Sequence, residues 1–211
     1  MLNKNEIIAL FLALIVLLFV ANFTEIINGD LNYIYLSLTA LFLALTILLN
    51  VVAKKLAAEY FQSKLEIKLW SFQRYWFKRH NYFKKPVPIG IILPFLAVIF
   101  SYGNFLWFAI FESDVQGTAP RAAKRHGIYR FTEITERDVA WMLSAGVVVN
   151  LLLSIIAYLI NLPLLAKWNI YYAIFSLIPL SSLDGTKIFF GNKTLWMTLS
   201  IIALIFLSYA L

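Results

Sequence analysis

The sequence predicts an all-α polytopic membrane protein with about six transmembrane or re-entrant helices and one short β element in a cytoplasmic loop. Three observations predict this class. Hydrophobic residues make up 62% of the 211 residues and charged residues only 14%, a balance typical of proteins that are solvated by lipid. Six segments approach the roughly 20 apolar residues that a helix needs to cross a bilayer. One loop between them holds nine of the 18 Lys and Arg residues.

The six segments define the organisation of a single membrane domain, residues 1–211, since the chain has no internal repeat or low-complexity linker. The first lacks a signal-peptide cleavage pattern, so we expect a retained span. The third contains Pro88 and Pro94, so it is either a span or a re-entrant hairpin. The segments are Glu6–Ile27, Tyr33–Ala53, Val87–Phe111, Val139–Ile160, Leu162–Leu180 and Thr194–Leu211. They give two N-terminal spans (6–53), a basic loop (54–86), the third segment (87–111), a polar loop (112–138) and three C-terminal spans (139–211).

The loop of residues 54–86 has nine Lys or Arg residues against two Glu, which by the positive-inside rule places it in the cytoplasm. Within it, Leu65, Ile67 and Leu69 alternate with more polar residues and predict a short strand with one apolar face. The aromatic and basic residues of Trp70–Phe83 favour anionic lipid headgroups as the partner, and not nucleic acid. The charge of loop 112–138 is balanced, so this loop is cytoplasmic only if the third segment is a hairpin.

Polar side chains recur along two of the predicted spans. Their burial in the membrane costs free energy unless they pack against other helices or have a functional role. The stripe on the second span consists of Thr39, Thr46, Asn50 and Lys54, and that on the fourth of Gly146, Asn150, Ser154 and Tyr158. Stripes of small and hydroxyl residues are typical of helix-packing seams, and the Asn50 and Asn150 amides need partners in hydrocarbon. At the end of the fifth segment, Asp184-Gly185 is either a turn or a liganding group at an unwound helix end.

A family resemblance bears on these alternatives. Phe175-Ser176-Leu177-Ile178-Pro179-Leu180-Ser181-Ser182-Leu183-Asp184-Gly185-Thr186-Lys187 resembles the pattern F-N-L-L-P-x-x-P-L-D-G-x-K of site-2 proteases, which are intramembrane zinc metalloproteases. Ala145–Asn150 is similar to their A-G-P-x-x-N element, with Val147 in place of proline. Ala119–Ala122 resembles the A-P-G-A of archaeal-type members, and Gly191–Trp196 resembles their segment after the aspartate. The resemblance implies a site-2-protease-like core in an archaeal or bacterial cell membrane.

The resemblance also identifies the positions in this chain that correspond to the family's zinc site. The H-E-x-x-H motif falls on Asn50-Val51-Val52-Ala53-Lys54, so Asn50, Lys54 and Asp184 stand at the ligand positions and Val51 at the general-base position. Zinc chemistry needs neutral imidazoles and a base for the bound water, whereas Lys54 repels zinc and Val51 accepts no proton. With no cysteine either, we expect no catalytic residue and no metal, and we expect the Lys54 ammonium to pair with Asp184.

Three functions are compatible with the sequence. The first is a non-proteolytic member that binds membrane proteins or single-span helices through a groove containing Asn150, Asn169, Ser176, Pro179 and Asp184. The second is an active metalloprotease whose relocated zinc site uses His80 or His126. The third is a small transporter or channel in which Lys54 and Asp184 are the gating or coupling charges.

Overall fold

The computed structural model describes residues 3–30, 32–74, 82–118 and 134–210. The described part is mainly helical. Its helices are α1 (Lys4–Ala21), α2 (Phe23–Asn28), α3 (Tyr33–Tyr60), α4 (Ile89–Phe100), α5 (Glu136–Leu159), α6 (Pro163–Ser176), α7 (Asp184–Gly191) and α8 (Lys193–Ala210). Its strands are β1 (Ser63–Leu69), β2 (Phe72–Arg74), β3 (Tyr82–Val87) and β4 (Phe111–Gly117).

Within the described ranges, three helices are long and apolar enough to cross a membrane, namely α1, α3 and α5. The first predicted span is interrupted at Asn22, whose side-chain amide donates to the carbonyl of Leu18 at 2.8 Å. The second continues to Tyr60, seven residues beyond its predicted end. The fifth is shorter than predicted: α6 ends at Ser176, so its 14 residues reach only about 21 Å.

The third predicted segment doubles back on itself. Helix α4 ends at Phe100, the chain turns, and it returns in an extended conformation to β4. The start and the end of this hairpin both bind the backbone of Trp70. The Trp70 N–H donates to Ile110 O at 2.8 Å, and the Trp70 carbonyl accepts from Gly90 N–H at 2.9 Å. A Cβ at Gly90 would lie 2.4 Å from Ile110 O, so only glycine permits this approach. In shape, the segment is a hairpin made of helix α4 and an extended return, and it closes at Trp70.

The predicted strand in the basic loop is confirmed as β1, in which Leu65 and Ile67 are buried and Lys64 and Lys68 are exposed. It pairs in antiparallel register with β4, a strand that the sequence analysis did not predict. β2 and β3 form a second antiparallel pair. Pairing of β1 with β4 places the start of loop 112–138 beside the basic loop.

The polar stripes on α3 and α5 lie mostly in the interior. All four members on α3 are buried, and so are Gly146, Asn150 and Ser154 on α5. Tyr158 is the exception: its side chain is 67% exposed, and its assignment to the seam was wrong. It lies on the outward side of the last turn of α5, in which the adjacent Ala157 is fully buried.

Candidate functional site

Lys54 of α3 and Asp184 of α7 form a buried ion pair. The Lys54 Nζ lies 2.7 Å from Asp184 Oδ2, and the two side chains are 3% and 5% exposed. The carboxylate also accepts two hydrogen bonds from Ser113 of β4, from the backbone N–H to Oδ1 at 2.9 Å and from Oγ to Oδ2 at 3.0 Å. The pair that the sequence predicts is therefore present, and the carboxylate has additional donors that satisfy it inside the protein.

The backbone around Asp184 explains why this residue reaches the interior. Helix α6 ends at Ser176, and α7 begins at Asp184 itself, where an acidic side chain interacts favourably with the helix dipole. The next residue, Gly185, packs directly on the preceding segment, because a Cβ there would lie 2.4 Å from Ile178 O. The Asp-Gly dipeptide thus begins a helix that is pressed against the end of α6.

A second buried carboxylate is paired with the neighbouring lysine. Glu6, in the first turn of α1, is 4% exposed, and its Oε1 lies 2.8 Å from Lys55 Nζ. The same carboxylate accepts from the backbone N–H of Ile67 at 3.0 Å and of Asn3 at 2.7 Å. Consecutive lysines of α3 therefore pair with carboxylates from two different helices.

These two carboxylates bind opposite edges of the β1–β4 sheet. Each accepts a hydrogen bond from one member of the same cross-strand residue pair. Ile67 and Ser113 are direct partners across the two strands. In antiparallel pairs, every second residue pair directs its backbone groups away from the partner strand, and here Ile67 N–H meets Glu6 while Ser113 N–H meets Asp184. The Ser113 carbonyl accepts from Lys187 Nζ. The sheet is clamped between α1 and α7, with α3 supplying both cations.

Asn50 lies one helical turn before Lys54, and both side chains contact the same point on α5. A Cβ at Gly146 would lie 2.6 Å from Lys54 Cε and 2.7 Å from Asn50 Nδ2. Asn50, Lys54 and Asp184, the three positions that the resemblance equates with metal ligands, therefore lie together. Among the described residues no hydrogen-bond partner is found for the side-chain amides of Asn50 and Asn150, although both are fully buried.

A small cavity adjoins the ion pair and includes Ser176, Tyr172 and Phe108 in its walls. Its volume of about 10 Å³ is close to the minimum for one water molecule. Phe108 belongs to the extended return of the α4 hairpin and stacks on Trp168, with ring centroids 5.6 Å apart. The hairpin thus covers the ion pair.

The five residues predicted to form a partner groove do not line one open surface. Asn150 and Asn169 are fully buried, and Asp184 is 4% exposed. Ser176 is half-buried, whereas Pro179 is exposed. Of these five residues, the exposed one is Pro179, in the segment after α6.

The residues at the ligand positions do not fit zinc. The described part of the chain contains no group of three or more His, Cys, Asp and Glu side chains that could hold a metal ion, and His80 and His126 lie outside the described residues. Both Asp184 oxygens already accept hydrogen bonds, and the Lys54 ammonium stands 2.7 Å from one of them. A cation at that distance repels a divalent metal. Val51, at the general-base position, is a buried aliphatic residue.

Sequence reasoning missed Glu6, Lys55, Ser113 and Lys187. Glu6 carried a usable signal, since an ionisable residue in an apolar segment is a functional candidate by default. For Ser113 no local pattern exists: Phe111–Gly117 is polar, and its place in the site depends on pairing with a strand 46 residues earlier.

No family model matches the chain. No curated protein and no solved structure matches it either. The function is therefore inferred from the residues and their geometry.

Proposed function

We propose that this chain is a membrane-embedded binding protein, a non-proteolytic member of the site-2 protease family that engages membrane proteins or single-span helices without cutting them. Helices α1, α3 and α5 are its principal spans. The shorter apolar α8, the 14-residue α6 and the re-entrant α4 hairpin complete the six membrane segments. The basic loop and β4 lie on the cytoplasmic side, where Lys and Arg face anionic headgroups.

The Lys54–Asp184 ion pair carries this proposal. A site-2 protease needs a metal at this point to activate water. Here a lysine ammonium, 2.7 Å from the remaining carboxylate, supplies the positive charge that the metal would otherwise supply. The arrangement neutralises Asp184 in a low-dielectric interior, and the aliphatic Val51 at the general-base position accepts no proton. It supports retention of the helical scaffold and loss of the hydrolytic chemistry.

The accessible segment after α6 is the proposed contact with a partner. It follows Ser176, the last residue of α6, and holds Pro179 and Leu180, of which Leu180 is a large apolar residue 43% exposed. It ends next to Asp184, so a partner bound there would lie within a few residues of the ion pair along the chain. Ser182 donates to the Glu112 carboxylate of β4, which fixes the segment against the sheet and pre-orders it for binding.

The test is site-specific photocrosslinking to a panel of tagged single-span reporter helices expressed in the same membrane. A photoreactive residue replaces Pro179, and the matched control replaces Ile201, a 56% exposed residue on α8. We expect crosslinks from position 179 to reporters of full length, with none from position 201. Shortened reporter would contradict the non-proteolytic half of the proposal. Equal or absent crosslinking at the two positions would contradict the binding half.

A further inference from the structure

A large groove opens between the end of α5, the start of α6 and the last turns of α8. Its volume is about 570 Å³, within the range of roughly 300–1,000 Å³ of small-molecule sites. The walls are mainly aliphatic and aromatic, with Ile155, Leu159, Leu164, Ile170 and Phe206 among the lining residues. An apolar ligand fits this lining.

One charged side chain lines the groove. Lys167 is half-buried, and its Nζ lies 5.8 Å from the centroid of the Tyr171 ring. In the part of the chain that the structure describes, no carboxylate forms a salt bridge with it. Tyr158, at the rim, is 67% exposed. The groove therefore offers an anionic group a cation and a hydroxyl beside a long apolar wall.

The groove lies at the C-terminal end of α5, further along the helix than the contact of α5 with the ion pair. Gly146 of α5 contacts Lys54, and Leu159 follows 13 residues later, about 20 Å further along the helix axis. If α5 crosses the bilayer, Tyr158 is close to the level of the lipid headgroups, and Lys167 lies four residues inside the start of α6, about 6 Å deeper, which is within the reach of a lysine side chain. Lys and Tyr are the side chains that typically extend from apolar surroundings to that level.

The volume is too small to enclose more than a short piece of helix. A helix about 10 Å across would fill 570 Å³ with a length of only about 7 Å, or roughly five residues. A single hydrocarbon chain is much thinner than a helix, so a longer piece of it fits in the same volume. A lipid also places its charged group at one end of its chain, as Lys167 requires.

We propose that this groove binds one anionic glycerophospholipid, with a hydrocarbon chain along the α5–α6–α8 walls and its phosphate at Lys167 and the Tyr158 hydroxyl. The site rests on the membrane placement of the helices. It is independent of partner binding at Pro179, so either proposal can fail without the other.

The test is native mass spectrometry of the full-length chain released from micelles that contain equal amounts of phosphatidylglycerol and phosphatidylcholine. We expect one retained phosphatidylglycerol. Since a charge-assisted hydrogen bond contributes about 1.5–3 kcal/mol, Lys167→Gln should lower its retention about tenfold or more. The matched control is Lys193→Gln, which removes a cation placed 5.9 Å from the Phe189 ring at the start of α8 and should leave retention unchanged.

A second pair of variants tests the apolar walls separately from the charge. Ile155→Trp fills the groove and should abolish retention of both lipids, whereas Leu152→Trp, one turn earlier and 53% exposed, should not. Equal retention of the two lipids by the wild type would overturn the proposal. So would a phosphatidylglycerol preference that survives Lys167→Gln, or retention that survives Ile155→Trp.

Discussion

Ile67 and Ser113 face each other across the β1–β4 pair, and each donates its backbone N–H to a buried carboxylate from a different helix. Both carboxylates are neutralised by α3, through Lys55 and Lys54. Two ion pairs thus fix the position of the sheet against the helices, and both act on the same cross-strand residue pair. Disturbing either pair should loosen the same strands.

Lys54→Met should destabilise the protein by about 3–5 kcal/mol, because it leaves the Asp184 carboxylate buried without its cation. Thermal unfolding of the purified protein in detergent measures the change. The double variant Lys54→Met with Asp184→Asn removes both charges and should recover most of the loss. A double variant no more stable than Lys54→Met would show that the charge balance of the pair is unimportant.

The charge swap Lys54→Asp with Asp184→Lys should be more stable than either single variant but less stable than the wild type. The ion pair is restored with reversed polarity, yet Ser113 N–H loses the carboxylate that accepts it at 2.9 Å. Hydrogen exchange at the Ser113 amide should therefore remain fast in the swapped protein. Absence of any rescue in unfolding measurements would contradict direct pairing.

Glu6→Gln should increase hydrogen exchange at the Ile67 amide about tenfold or more, since a hydrogen bond to a charged acceptor contributes about 1.5–3 kcal/mol. The matched control is Glu66→Gln on the same sheet, where the carboxylate pairs with the exposed Lys64. That surface pair should change stability by less than about 1 kcal/mol. Equal effects of the two variants on Ile67 would contradict the edge contact.

Gly146→Ala should destabilise the α3–α5 contact by about 1–3 kcal/mol, because the added methyl overlaps Lys54 Cε and Asn50 Nδ2. Unfolding in detergent measures the loss. Asn50→Ala in the same chain frees space and should recover part of it. Val148→Ala, on the same helix at a 37% exposed position, is the control and should have a smaller effect.

Asp114 and Lys68 give a small pH-dependent contribution on the outer face of the sheet. The hydrogen bond from Lys68 lowers the pKa of Asp114, so the stabilisation is present at neutral pH and is lost as pH falls through the folded pKa, below about 4. The Lys68 side chain is 50% exposed and the Asp114 side chain 44% exposed, which limits the effect to under about 1 kcal/mol. Asp114→Asn should lower stability slightly at pH 7, and the difference from the wild type should disappear in acid.

Residue periodicity predicted the long helices and the alternating face of β1, because these patterns are local. It also placed Asn50, Lys54 and Gly146 in the interior, since costly polar groups in apolar helices must be buried or paired. The Lys54–Asp184 pair came from the family resemblance, which supplied the link between positions 130 residues apart.

The remaining differences have non-local causes. Strand β4 forms through its register with β1, and the return of the α4 hairpin depends on two backbone hydrogen bonds to Trp70. Neither contact has a signal in neighbouring residues. The exposure of Tyr158, next to the fully buried Ala157, depends on which side of the last turn of α5 packs against other helices, and helical spacing alone does not reveal this.

The most direct test of the central claim is the zinc content of the purified chain and of a variant with the family motif rebuilt, Asn50→His with Val51→Glu and Lys54→His. If the Lys54–Asp184 pair occupies a former metal site, the wild type should contain no stoichiometric zinc. The rebuilt chain should bind one zinc ion, and Asp184→Asn should weaken that binding. Stoichiometric zinc in the wild type that is lost with Asp184→Asn, or no zinc in a folded rebuilt chain, would contradict the account.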